Sequence, residues 1–236
     1  MYNINHDIRQ TVLEQVLSNQ KQTVEELQQL VRFPTVNPPG NEQDHQEYLA
    51  AQLRDLGLDV KMIEAEAGRP NLVAIRKGHG GGRNLLHYAG HADVVGGGDE
   101  LAWKHDPFSG VVEDGWIFGR GSVDHKGPIA ASLGALRAII QSGIELAGDI
   151  VFIVPVDEEC GSYVGTKHLL KEGILYGDMG IYASAGFLNQ VIISCSGALS
   201  FEIKVAGRAS HSGYPKSGIN AIKNAAKLVI ALEEMQ

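Results

Sequence analysis

Three short clusters of acidic residues and histidine contain the residue types that could do chemistry in this sequence. They are His91-Ala92-Asp93, the turn 121–127 with Asp124 at its centre, and Asp157-Glu158-Glu159. Imidazole nitrogens and carboxylate oxygens bind divalent cations, and a carboxylate beside a bound cation can also relay a proton. Two of the clusters end an apolar run typical of a buried strand, and the third precedes a helix. Because ligands of open α/β sheets gather at the carboxyl ends of strands, we predict that all three meet in one crevice.

Two of these clusters have an alternative, purely structural interpretation. Asp93 can reach the second ring nitrogen of His91 and fix the tautomer of a metal-bound imidazole, or the pair can be a hydrogen-bonded histidine at a strand end. Asp124 can bridge two cations through its two carboxylate oxygens, or it can cap the helix that follows. The local sequence leaves both alternatives open.

The third cluster places three consecutive acids directly after a buried strand. Their mutual repulsion is easiest to explain if cations offset it. Adjacent glutamates can also take different roles, in which one binds metal while its neighbour accepts a proton and later donates it again. The alternative is an exposed acidic loop.

Hydrophobic periodicity predicts the elements that position these clusters. We expect a helix over 8–31 in two pieces, the second opened by a capping box of Thr23 and Glu26. Further helices are predicted over about 42–56, 126–142 and 162–172, strands over 59–63, 71–75, 84–88, 149–155 and 179–183, and a small hairpin within 103–120. The β-α-β order favours an α/β fold with a mostly parallel sheet flanked by helices.

A change of character after Gly186 indicates a second module. Residues 191–194 and 199–205 are predicted to pair as strands, and a helix is predicted to start near Asn220. We therefore predict a first domain over 1–196 and the start of an α+β lid over 197–236. A β-β-α unit of this kind leaves a sheet half built, so we expect the chain to be incomplete or completed by another chain.

Composition excludes several classes of protein. Of the 236 residues, 44% are hydrophobic and 20% charged, and no apolar run is long enough to span a bilayer. The net charge of −8 without a basic stripe argues against nucleic-acid and anionic-membrane partners. The N-terminus lacks the pattern of a signal peptide, and two cysteines are too few for a disulfide framework. A cytoplasmic location is expected.

Five motifs in order resemble the two-zinc amidohydrolases and exopeptidases, a family that includes acetylornithine deacetylase, succinyl-diaminopimelate desuccinylase, aminoacylase and glutamate carboxypeptidase. The motifs are Val-Asn-Pro-Pro-Gly at 36–40, Gly-Arg-Pro-Asn-Leu at 68–72, His-Ala-Asp-Val-Val at 91–95, Gly-Arg-Gly-Ser-Val-Asp-His-Lys-Gly at 119–127, and Val-Asp-Glu-Glu-Cys-Gly-Ser at 156–162. The resemblance covers about residues 30 to 215 and implies a zinc-binding α/β domain followed by a dimerisation lid.

The resemblance also implies a role for each matching residue. It implies that His91 binds one zinc, Asp124 bridges both, and Glu159 binds the other. Glu158 is then the general acid/base and Asp93 orients His91. His211, in the lid, is expected to hold the substrate carbonyl oxygen as negative charge develops, often in the partner subunit's site. The implied cofactor is a pair of zinc ions, with cobalt or manganese as substitutes.

Two departures from the family pattern bear on metal binding. The family usually has an acidic ligand for the first zinc just after the strand at 179–183, where this chain has Ser184. Its last ligand, a histidine, belongs to a segment that this sequence does not contain. Each zinc therefore keeps two protein ligands, one of them shared, against the three expected at a catalytic site.

The sequence leads to one main functional hypothesis and two competitors. The main hypothesis is hydrolysis of an amide bond in an N-acyl amino acid or small peptide by a homodimer that pairs through its lid. The first competitor is an inactive fragment or pseudoenzyme with a binding or assembly role. The second is a one-metal hydrolase that uses His91, Asp124 and a recruited ligand such as His125 or Asp157.

Overall fold

The computed structural model describes residues 6–184, 186, 190–194, 197 and 201–235. The chain divides into two compact units, Met1–Leu188 and Asn189–Gln236. The domain boundary predicted near residues 196 and 197 falls partly outside the described residues and stays a prediction. No helix within the described ranges is both long and apolar enough to cross a membrane.

The first unit is built from helices around one central sheet. Its helices are α1 (His6–Ser18), α2 (Gln20–Val31), α3 (Gln43–Asp55), α4 (Lys126–Gln141) and α5 (Thr166–Lys171). Its strands are β1 (Asp59–Glu64), β2 (Pro70–Arg76), β3 (Leu85–Tyr88), β4 (Val111–Glu113), β5 (Trp116–Phe118), β6 (Ile150–Val154) and β7 (Met179–Tyr182). Strands β4 and β5 form the predicted hairpin, and the other five form the sheet.

Sheet topology confirms the predicted α/β class. The strand order is β1-β2-β6-β3-β7, with β3 parallel to both β6 and β7. Strand β2 is antiparallel to β1 and to β6, so it alone runs against the other four strands. Strands β6, β3 and β7 therefore present their carboxyl ends at one edge, which is where two of the three clusters follow.

The main core lies between the sheet and helices α2, α3 and α4. Apolar residues at helical spacing meet the alternating inward residues of the strands. Fully buried members include Leu30, Leu49, Leu53, Leu72, Leu133 and Phe152. Full burial of one such side chain contributes about 1.5–3 kcal/mol, so this layer holds the strands that carry the clusters. Val73, Val151, Ile153 and Leu169 form a smaller core on the opposite face.

The two-piece N-terminal helix is confirmed, but its predicted capping box is wrong. Helix α2 begins at Gln20, with Asn19 ahead of it, so Thr23 lies inside the helix and its hydroxyl donates to the Asn19 carbonyl. Glu26 is buried and forms an ion pair with Arg137 of α4. A tertiary partner therefore explains this glutamate better than a local cap.

The second unit differs from the predicted pair of strands. Its described residues within 191–194 and 201–205 form no strand, and 199 and 200 lie outside the described range. A strand needs a hydrogen-bonded partner, and in this unit the described residues pair only at the bridge of Arg208 with Ile219. The predicted helix is present as α6 (Ala221–Glu233), where the Asn220 side chain accepts a hydrogen bond from the Lys223 amide at 2.8 Å.

Candidate metal centre

Parallel pairing of β3 with β6 brings the first and third clusters side by side. Beyond the strand ends, the Ala89 amide donates to the Ile153 carbonyl at 3.0 Å, and the Ala92 amide donates to the Pro155 carbonyl at 2.9 Å. The two chains therefore continue next to each other past the sheet. This contact confirms that the first and third clusters meet at one edge.

His91 is buried and held in one orientation. Its Nδ1 lies 2.9 Å from the Asp93 carbonyl oxygen and 3.4 Å from Asp93 Oδ1, so Nδ1 carries the proton. Its Nε2 then points at Asp124 Oδ1, 3.2 Å away. Burial lowers the pKa of His91, but the hydrogen bond and charge of Asp93, with Glu158 and Asp124, outweigh burial and raise it to about 9.

Asp93 connects the first cluster to the third. This carboxylate is fully buried; Oδ1 accepts the Glu158 amide and Oδ2 accepts the Glu159 amide, both at 3.1 Å. Although burial raises its pKa, hydrogen bonds from His91 and Asn37 more than compensate and hold it below its usual range. Asp93 thus fixes the backbone of both glutamates as well as His91, a role that the local spacing did not reveal.

Asp124 is not the cap of α4, which excludes the structural alternative. His125 takes that position and makes no capping hydrogen bond with its side chain. Asp124 Oδ1 instead lies between two imidazoles, 3.2 Å from His91 Nε2 and 3.1 Å from His125 Nε2. The Asp124 side chain is 63% exposed, so the centre opens to solvent on this side.

His125 completes a group of three side chains that could hold a metal ion. The candidate ligand atoms of His91, Asp124 and His125 all lie within 4.8 Å of one another. The His125 ring centroid is 4.4 Å from that of His91, and its Nε2 is 3.2 Å from Ser184 Oγ. Burial, followed by the charge of His91, lowers the pKa of His125. A neutral imidazole is the form that binds a cation.

The three consecutive acids divide between two environments. Glu158 Oε2 lies 3.6 Å from His91 Nε2, and the Glu158 side chain is 41% exposed. Glu159 is half-buried, and burial raises the pKa of its carboxyl. Asp157 turns away: Oδ1 lies 3.5 Å from Arg69 Nη1, and Oδ2 accepts the Val164 amide. Repulsion among the acids is therefore partly relieved by Arg69, and Asp157 lies outside the group of three.

The donor set fits a divalent cation. The Nε2 lone pairs of two neutral imidazoles would both face the lone pairs of Asp124 Oδ1, an arrangement that is repulsive unless a proton or cation lies between them. Two imidazoles and a carboxylate are common ligands of zinc and similar ions. The structure thus brings His91, Asp124, His125 and Glu158 together, whereas Glu159 stands outside the group of three.

The predicted lid residue His211 belongs to the second unit. Its Nδ1 accepts a hydrogen bond from the Gly213 amide at 3.0 Å, and its ring is exposed to solvent. The expected role of His211 at a substrate carbonyl stays a prediction.

Two motif residues support the centre in ways that we did not predict. Asn37 Nδ2 donates to Asp93 Oδ2 at 2.8 Å and to Asp157 Oδ1 at 3.2 Å, joining the two loops. Arg69 is bound by the buried Glu42 as well as by Asp157. Asn37 and Arg69 belong to two of the five motifs, and this was the only sign of their importance in the sequence. Their partners are visible only in the fold.

Comparison with known proteins identifies the family. The model of "Peptidase family M20/M25/M40" matches residues 87–232, which is more than half of the chain. The chain belongs to peptidase family M20/M25/M40. The resemblance read from the five motifs is thereby confirmed, and a divalent metal is the cofactor that membership of this metallopeptidase family implies.

Relatives within the M20/M25/M40 family include two kinds of deacylase. A succinyl-diaminopimelate desuccinylase of Methylocella silvestris is 35% identical over 217 residues, 89% of this chain and 55% of that protein. An N-formyl-4-amino-5-aminomethyl-2-methylpyrimidine deformylase of Halalkalibacterium halodurans is 32% identical over 240 residues, 96% of this chain and 56% of that protein. The chain spans about half the length of these relatives.

Solved structures of two peptidases share the fold. A tripeptidase from Staphylococcus aureus matches with a TM-score of 0.64 and 26% identity over 89% of this chain and 56% of that one. An M20 family metallo-carboxypeptidase from Sulfolobus solfataricus matches with a TM-score of 0.61 and 26% identity over 70% of this chain and 37% of that one.

Proposed function

We propose that this protein is a metal-dependent hydrolase that cleaves an amide bond in an N-acyl amino acid or a small peptide. The observation that carries the proposal is the convergence of two imidazole nitrogens on Asp124 Oδ1, with the Glu158 carboxylate beside them. The desuccinylase and deformylase relatives and the tripeptidase share amide hydrolysis as their named reaction. Their common chemistry supports this substrate class.

His91 and Asp124 hold the cation in this proposal, and Glu159 is the predicted ligand of a second one. A divalent ion bound there would supply polarisation of the amide carbonyl and a more nucleophilic water near neutral pH. Asp93 keeps the proton on His91 Nδ1, so that Nε2 stays available as a ligand. The imidazole and carboxylate donors favour zinc, with cobalt or manganese as substitutes.

Glu158 is the proposed general base and acid. Its backbone is fixed by Asp93, while its partly exposed carboxylate can reach a water molecule or the substrate. It accepts a proton from the attacking water and returns it to the leaving nitrogen. His211 is proposed to stabilise the carbonyl oxygen as charge develops, within a homodimer that forms through the second unit. The proposal also retains the expected cytoplasmic location.

Metal analysis combined with a substrate panel tests the proposal. Purified, dialysed protein is expected to retain about one or two zinc ions per chain, and the Asp124→Ala variant is expected to lose them. The panel consists of N-succinyl and N-formyl amino acids and dipeptides. Glu158→Gln is expected to abolish hydrolysis while it keeps the metal, whereas Glu64→Gln, exposed on β1, should change neither. Absence of bound metal, even after zinc is added, would contradict the proposal.

A metal-binding protein without hydrolytic activity is the second candidate. It is favoured by the placement of Glu159 outside the three-residue group and by Ser184 at the end of β7, which leave ligands gathered for one ion. The same experiment separates the candidates. Zinc that depends on Asp124 but supports no turnover of any panel substrate would favour this second function.

A further inference from the structure

We propose that His125 is a metal ligand, and that it fills a coordination position that a longer acidic side chain at residue 184 would otherwise occupy. This inference rests on the proposed function and specifies the ligands of the same centre. The proposed protein ligands of this ion are therefore two imidazoles and one carboxylate.

The His125 ring points its Nε2 towards Asp124. Its Nε2 lies 3.1 Å from Asp124 Oδ1, the same oxygen that His91 Nε2 approaches at 3.2 Å. The two ring centroids are 4.4 Å apart, and the candidate ligand atoms of His91, Asp124 and His125 lie within 4.8 Å of one another, so one ion between them could contact both nitrogens. Nδ1 is buried without a hydrogen-bond partner, which leaves Nε2 as the atom of this ring that faces polar groups.

Ser184 lies close to the His125 ring. The Ala183 amide donates to the Tyr88 carbonyl at 2.8 Å, which places residue 184 directly beyond the end of β3 and next to the centre. Ser184 Oγ is 3.2 Å from His125 Nε2. A glutamate side chain at this position reaches two bonds further than serine and could place a carboxylate where the His125 nitrogen now lies. A serine side chain leaves that space to the histidine.

The ligand types at this centre determine which class of metal it prefers. Imidazole suits zinc, cobalt, nickel and copper, whereas carboxylate and water suit magnesium, calcium and manganese. With His125 as a ligand, nitrogen donors outnumber carboxylates at this ion. We therefore expect a strong preference for zinc over manganese, and a change at residue 125 should weaken that preference.

Metal titration of the chelator-treated, full chain tests the inference, with zinc and manganese as probes. His125→Ala is expected to weaken zinc binding at least about 100-fold, since even loss of residues that only support metal ligands costs 10–100-fold. Adding Ser184→Glu in that background is expected to recover at least about tenfold and to shift the preference towards manganese. His105→Ala removes a histidine that pairs with Glu113 and should leave zinc affinity unchanged. His125→Gln, which preserves most of the buried volume, repeats the test if the alanine variant unfolds.

Electron paramagnetic resonance of the copper-loaded protein provides a direct ligand count. Nitrogen splitting from two imidazoles is expected in the wild type and from one in His125→Gln. Unchanged zinc affinity in a folded His125 variant would overturn the inference, and so would failure of Ser184→Glu to restore binding. If Asp124→Ala also leaves zinc binding unchanged, the proposed metal centre itself fails. If zinc binding is lost in Asp124→Ala but unchanged in the His125 variants, only the role of His125 is overturned.

Discussion

Besides the proton on Nδ1, a pKa of about 9 gives His91 a second proton, on Nε2, near neutral pH in the metal-free centre, and a cation that binds Nε2 would replace that second proton. Its pKa of about 9 lies above the ordinary value of 6.5 because the nearby carboxylates outweigh burial. In the metal-free protein this shift stabilises the fold fully below about 6.5, and the contribution disappears as pH rises through about 9. A cation replaces the proton, so metal binding and pH are linked.

We expect zinc affinity to rise about tenfold per pH unit between about pH 7 and 9 and to level off above that, because one proton leaves His91. Calorimetric titration at pH 7 in buffers of different ionisation enthalpy should show release of about one proton per ion. A zinc affinity that does not change across this range would contradict the assignment of His91 as a ligand.

The buried ion pair of Glu26 with Arg137 is a stability element away from the centre. Both side chains are 4% exposed, and Arg137 Nη1 lies 3.2 Å from Glu26 Oε2. Glu26→Ala leaves the arginine charge buried and unpaired, and we expect a loss of about 3–5 kcal/mol in the free energy of unfolding. Glu25→Ala, which removes an exposed pair with Lys21, should cost no more than about 0.5 kcal/mol. Urea denaturation compares the two, and equal losses would refute the expectation.

Among the elements, the packing of α2 on α4 depends on one close approach. A Cβ at Gly134 of α4 would lie 2.6 Å from the Thr23 hydroxyl oxygen of α2, too close for an undistorted contact. A glycine inside a helix costs about 1 kcal/mol relative to alanine. Gly134 therefore lowers the intrinsic stability of α4 but allows α2 and α4 to pack closely.

We expect Gly134→Ala to destabilise the wild-type protein by about 1–2 kcal/mol through overpacking. In a Thr23→Ala background, which removes the clashing oxygen, the same change should be neutral or stabilising by up to about 1 kcal/mol. A double-mutant cycle by chemical denaturation measures this coupling. Additive effects would show that the helices do not meet at this pair.

For the whole molecule, metal binding should contribute to stability because the ligands converge only in the folded chain. At zinc concentrations about 100 times the dissociation constant, the gain is about 2.7 kcal/mol. Thermal unfolding of the wild type is expected to shift to higher temperature when zinc is added, and Asp124→Ala should show no shift. A similar shift in that variant would indicate zinc binding elsewhere.

Local sequence pattern was sufficient to predict most elements of the first unit and the residue types of the centre. Helical and strand periodicity placed α3, α4, β3 and β6 to within a few residues, since these patterns depend on near neighbours. Strand ends also indicated that residues 91–93 and 157–159 would meet. The predicted strands of the second unit are absent among the described residues of 191–194 and 201–205, because a strand is stabilised by a partner that sequence alone does not supply.

The sequence by itself determined the family and the α/β class, and it predicted His91, Asp93, Asp124 and Glu158 as site residues, because five ordered motifs and strand ends are local features. Only the tertiary structure decided that His125 joins the centre while Asp157 turns to Arg69, and that Asp93 holds the backbone of both glutamates. Those outcomes depend on contacts between residues far apart in the chain. The directions of these side chains are set by the packing of the sheet against its helices, which no local sequence pattern encodes.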